Sequence, residues 1–141
     1  MTVETQRAAI ISRFKTQFDL TYPAVQVRYE NHDFNQPDNT TWVALHILGS
    51  DDSFQANLGV TNVTERHVGI VQIDIISPED SGTKTTAEIA DFCGKIFSRY
   101  EVKSAANESI TFKTPSHTPM GVENGQYRHM VRISFRRDER L

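Results

Sequence analysis

The chain has 141 residues, 15 Lys and Arg against 18 Asp and Glu, a formal net charge of −3, 38% apolar residues and 23% charged ones. That is core enough for one domain over residues 1–141 and too apolar for a disordered chain; its acidic balance argues against a general field that would gather nucleic acid. No run approaches the roughly 18 apolar residues of a membrane helix, Met1 to Gln17 has no signal-peptide core, and the lone Cys93 cannot form an internal disulfide, which points to a reducing cytoplasm.

From Thr2 to Phe18, the residues Val3, Ile10, Ile11, Phe14 and Phe18 recur at helical spacing and predict an amphipathic helix. Tyr22 and Pro23 end it, because proline lacks an amide donor and pushes its predecessor out of the α region. Val25, Val27 and Tyr29 then alternate with Gln26 and Arg28, the period of a half-buried strand. Residues 31–39 are rich in Asn, Asp and Pro and read as turns. From Thr40 a second strand places Thr41, Val43, Leu45 and Ile47 on one face and Trp42, Ala44, His46 and Leu48 on the other, so both faces are expected to be covered. Gly49 to Ser53 reads as a loop tip, and 54–60 as a short strand or a continuation of one long excursion.

His67 to Ile76 is the most strand-like segment, with Val71, Ile73 and Ile75 opposing Ile70, Gln72, Asp74 and Ile76. Pro78, Asp80, Ser81 and Gly82 terminate it, and Thr85 with Glu88 has the spacing of a capping box. A second helix follows, its apolar face built from Ala87, Ile89, Ala90, Phe92, Cys93, Ile96 and Phe97. Strands at 110–113 and 127–136 are joined by a connection holding Pro115, Pro119, Gly121, Asn124 and Gly125. In the last strand Tyr127, His129, Val131, Ile133 and Phe135 share one face, and Arg128, Met130, Arg132, Ser134 and Arg136 look outward from the other. The predicted class is α+β: two helices packed on a mainly antiparallel sheet of four to five strands, in the order α-β-β-(β)-β-α-β-β.

The sequence offers no constellation for chemistry. H-x-x-x-H, C-x-x-C, G-x-S-x-G and the phosphate-cradling glycine motifs do not occur. His32, His46, His67, His117 and His129 are scattered and read as ordinary surface or part-buried imidazoles, and Cys93 as a core thiol. Asp74 interrupts an apolar strand, where an ionised carboxylate needs a partner; an outward orientation or a neighbouring arginine is favoured over catalysis. No catalytic residue, metal ligand or cofactor is therefore assigned. The guanidinium forks of Arg128, Arg132 and Arg136 suit carboxylates or phosphates. A solvated strand face explains them as well as a subunit contact does, and phosphate binding stands behind both.

Several segments carry a resemblance through their order. They are the Phe-bearing first helix, Trp42-Val43-Ala44-Leu45, Arg66-His67-Val68-Gly69-Ile70-Val71-Gln72-Ile73 leading to Pro78 and Gly82, and Ala87 to Phe97. Gly125-Gln126-Tyr127 and Val131-Arg132-Ile133-Ser134-Phe135 close the series. Over nearly the whole chain this order resembles the tail terminator or tail completion proteins of tailed bacteriophages, related to the minor tail protein U of lambda-like phages. The resemblance implies a structural protein of a siphovirus tail, not an enzyme. It would form a ring of its own copies, a hexamer, on the last ring of tail-tube protein, end polymerisation and face the head-completion or connector protein. It implies the head-proximal end of the virion tail, reached from the host cytoplasm during assembly, with no membrane, no cofactor and no specific nucleic-acid binding, although DNA would pass through the ring.

A ring needs contacts between different faces of one subunit. The expected contact elements are the loop from Gly49 to Glu65 and the arginine face of the last strand, which gives Asp51, Asp52, Arg66, Arg128, Arg132 and Arg136 as candidate contact residues. The alternative is a head-tail connector or another small virion adaptor. A third reading, an enzyme acting through Asp74 and nearby histidines, finds no substrate.

Overall fold

Three long stretches of alternating apolar residues set the architecture. In the computed structural model, which describes residues 2–57, 63–105 and 108–140, they become the strands β2 (Trp42–Asn57), β3 (Val63–Pro78) and β7 (Gln126–Arg140). Around them lie helix α1 (Val3–Thr21), strand β1 (Gln26–Arg28), helix α2 (Lys84–Ile96) and strands β4 (Glu101–Ala105), β5 (Glu108–Phe112) and β6 (Ser116–Glu123). The sheet runs β1-β2-β3-β7-β5-β4, with β6 also on β7. The outer edge of β7 is divided: β6 pairs with its first half, from Glu123↔Gln126 to Ser116↔Arg132, and β5 with its second, from Phe112↔Phe135 to Ser109↔Asp138.

The α+β class holds, but the sheet is larger than the expected four to five strands, and it is mixed. β1 runs parallel to β2, in the register Val27↔Val43. The turn-rich stretch after Tyr29 is long enough for the crossover that a parallel pair requires. Phe34, from that stretch, packs on Trp42 at 5.2 Å between ring centroids. The other additions are edge strands. β4 is charged and short, and β6 occupies the connection read as a loop, with Pro119 placed where an edge tolerates a missing donor. Asn124 and Gly125 both have positive φ, 54° and 75°, and close β6 onto β7 as a two-residue hairpin turn.

Register then sorts the side chains. Leu45 pairs with Ile73 and Ile73 with Val131; Ile47 pairs with Val71 and Val71 with Ile133. One face of the three strands is thus apolar. Ile10, Phe14 and Phe18 of α1 and Ile89, Ala90, Cys93 and Ile96 of α2 close over it, in a single buried cluster. Each fully buried Ile or Phe side chain contributes roughly 1.5–3 kcal/mol. Phe14 and Phe18 stack at 5.1 Å, and Arg13 ties the helices together: its Nε donates to the Ile96 carbonyl at 3.0 Å while the guanidinium lies 4.3 Å over the Tyr100 ring.

The helix ends follow local chemistry. Thr2 caps α1, its hydroxyl accepting from the Thr5 amide at 3.1 Å, and the Tyr22 amide closes the other end on the Phe18 carbonyl. The capping box expected at Thr85 and Glu88 is not formed, since α2 begins earlier, with Thr83 as N-cap and no side-chain cap bond. Thr86 instead turns inward and shares a buried hydrogen bond of 3.0 Å with Ser77 at the end of β3.

The expected loop tip at Gly49–Ser53 is also corrected: the strand continues. Gly49 pairs with Gly69 and Ser53 with His67, so four steps on β2 match two on β3, and a bulge in the Ser50-Asp51-Asp52 run takes up the excess. The segment at 54–60 is strand as far as Asn57; the remainder lies outside the described residues. Just below the bulge, a Cβ at Gly69 would stand 2.5 Å from the Phe135 ring and 2.7 Å from the Leu48 carbonyl oxygen. Gly69→Ala is therefore expected to destabilise the fold by about 1–3 kcal/mol, measured by urea denaturation. An unchanged midpoint would mean that Phe135 is not packed on the β3 backbone.

Candidate docking face

The helices cover one face of the sheet and leave the other to its own side chains. One end of this outer face is apolar: Trp42, Ala44 and Ile76 are buried beneath Phe34. Its centre is polar, because register sets His46 opposite Gln72 and Gln72 opposite Arg132, with Asp74 one pleat away opposite Ala44 and Met130. Asp74 is only 5% exposed. Its carboxylate accepts from Gln72 Nε2 at 3.3 and 3.4 Å and lies 3.5 Å from His46 Nε2. Gln72 Oε1 in turn accepts from Arg132 Nε at 3.3 Å. The expected neighbour-strand arginine is present, then, but it reaches Asp74 through an amide. An Asp–His pair can orient a general base, yet no hydroxyl or thiol is hydrogen-bonded to His46 among the described residues.

Arg128, Arg132 and Arg136 are all exposed on this face, about 13 Å apart along β7 at 3.2–3.4 Å per residue. Arg128 and Arg136 form no ion pair among the described residues. Arg66 differs. Its Nε and Nη2 donate to the two oxygens of Asp138 at 2.6 and 2.9 Å, a fork that pushes the guanidinium pKa further up. Asp51 and Asp52 belong to the bulge of β2, and their side chains lie outside the described residues.

Two other groupings join residues that are distant in sequence. Glu65, His67 and Glu139 share the helix-bearing face, and their ligand atoms lie within 4.8 Å of one another. His67 Nε2 is 3.5 Å from Glu65 and 3.8 Å from Glu139, a set able to hold a divalent metal. Arg137, buried beside it, donates to the same Glu139 oxygen at 2.9 Å and to Gln6 at 2.8 Å, so this chain supplies its own cation there. Scattered histidines gave no sign of this in the sequence; the only local trace was Glu65 and His67 two residues apart on a strand. The second grouping is a polar cavity of about 370 Å³ lined by Arg28, Tyr29, Glu30, His32, Asp33 and His46. Burial, and then Asp19, push Tyr29 up to about 12, which keeps its phenol protonated.

One sheet face thus belongs to the core, and the other carries the exposed arginines. Residues 6–136 match the phage tail terminator protein family, and the chain belongs to it. It is accordingly a structural component of a phage tail, with a role in tail assembly. Among solved structures, one protein superposes over 97% of this chain and 96% of its own at a TM-score of 0.68; at 14% identity that likeness shows the fold alone. No curated protein matches the sequence. Among the described residues, no helix is long and apolar enough to cross a membrane.

Cys93 is the one cysteine of the chain. It is fully buried on α2, and burial pushes its thiol pKa well up, away from the reactive thiolate. A thiol reagent at about pH 8 is expected to leave it unmodified in the folded chain and to react stoichiometrically in urea. Rapid labelling of the native protein would contradict this placement.

Proposed function

We propose that the protein closes into a hexameric ring on the last ring of tail-tube subunits, ends tail polymerisation there, and offers its free surface to the head-completion or connector proteins. This places it at the head-proximal end of a siphovirus tail, reached from the host cytoplasm during assembly, with DNA passing through the ring. The observation that supports this reading is the outer sheet face, where, among the described residues, Arg128 and Arg136 pair with no carboxylate and Arg132 bonds to the Gln72 amide. Guanidinium forks left over in an acidic chain suit carboxylates on another subunit or on a tail partner. Because one face of each copy meets a different face of the next, the contact is heterologous, and rotation must close it to avoid a filament.

The test is a stop codon in this gene within its phage, followed by negative-stain electron microscopy of the lysate. Tails of uncontrolled length, or tails without heads, are expected; normal-length tails on filled heads would sink the proposal. Supplying the chain in trans should restore normal particles. The triple variant Arg128→Glu, Arg132→Glu, Arg136→Glu should fold, by circular dichroism, yet bind tails roughly a hundredfold more weakly, since like-charge juxtaposition costs several kcal/mol.

A further inference from the structure

We propose that the His117–His129 pair is an acid-sensitive clasp, which fastens edge strand β6 to β7 and α2 while it is neutral and releases β6 once both rings carry a proton. The inference does not rest on the tail reading. Nδ1 of His117 and Nε2 of His129 are 3.2 Å apart, with the rings edge-on at 63° and 5.4 Å between centroids. At that distance one nitrogen donates and the other accepts, so the contact needs at least one bare ring nitrogen. A proton on His117 alone still leaves His129 Nε2 free to accept. A second removes the acceptor and sets two positive rings against each other.

Among the described residues, no carboxylate is bonded to either ring. Ile75 of β3 and Pro119 of β6 stand opposite His129, and Tyr127 and Val131 flank it on the same face of β7. On α2, Gly94 faces this pair: a Cβ there would lie 3.5 Å from His117 Nε2 and 3.1 Å from Pro115. Asp91 and Lys95, the charges on either side of Gly94, are paired with each other at 2.9 Å. His129 is buried; burial first, and then the neighbouring His117, hold its pKa below the ordinary 6.5. The sign follows: the unfolded or opened chain binds more protons, so the closed arrangement loses stability as pH falls through about 6.5 towards the lower folded value.

β6 is the half that gives way. Among the described residues it is bonded to the sheet only through β7, its ladder is interrupted between Pro119 and Gly121, and nearly all of its side chains are exposed. His129 sits in the middle of a strand bonded on both edges.

Hydrogen exchange of the full chain, corrected for intrinsic rates, is compared at about pH 7 and about pH 5. Protection over Ser116–Glu123 should fall about tenfold, the scale of losing one hydrogen bond, while β2 and β3 hold. His117→Gln, whose amide can donate to a neutral His129 ring or accept from a protonated one, should make that fall clearly smaller. No fall in the unaltered chain, or an equal fall in the variant, would overturn the proposal. So would a His129 titration, followed by NMR in the unaltered chain, centred at or above 6.5.

Discussion

The register of β2, β3 and β7 decides which way their side chains point, and the rest of the fold depends on it. A slip of one residue would turn Val43, Leu45, Val71, Ile73, Ile75, Val131 and Ile133 out of the helix-covered face and bring His46, Gln72 and Asp74 into it. The cost would be several apolar side chains lost to water together with a carboxylate sealed under apolar helices. The helices have little choice in response. The Phe14–Phe18 stack and the Ile89–Cys93 face fit only the apolar side, and Arg13 locks one helix to the end of the other.

The same register makes the outer face what it is. His46, Gln72 and Arg132 fall in one cross-strand row, and their side chains give Asp74 the partners that a nearly buried carboxylate needs. Such a network fixes strand positions, because it is satisfied in one alignment only. It also leaves Arg128 and Arg136 at the margins, exposed and in no ion pair among the described residues. Core and candidate docking face are two sides of one alignment.

Much of this was legible in the sequence, and the exceptions have physical causes. The periods of α2, β3 and β7 are strong because each buries a full face, and alternation alone places the arginines of β7 outward. What failed was at the edges and the joins. β6 reads as a loop because Pro119 and Gly121 are loop residues by local preference, and only pairing with β7 makes a strand of them. β1 shows its own alternation but not its direction, which the crossover sets. The bulge at Ser50-Asp51-Asp52 imitates a turn, since its small polar residues suit both. The side-chain groupings, Asp74 with His46, Glu65 and His67 with Glu139, and His117 with His129, join segments that no spacing rule connects. The family was legible for a different reason: the order of its packing motifs survives where no single motif is distinctive.

Footprinting by hydroxyl radicals, on the free protein and on the protein within purified tails, addresses the assignment of the outer sheet face to docking. Leu48 and Met130 report on that face, and Leu20, 77% exposed on α1, reports on the helix side. Protection of Leu48 and Met130 in assembled tails, with Leu20 unchanged, is the predicted result. Protection of Leu20 while Leu48 and Met130 stay as reactive as in the free chain would contradict it, and would move the docking surface to the helices.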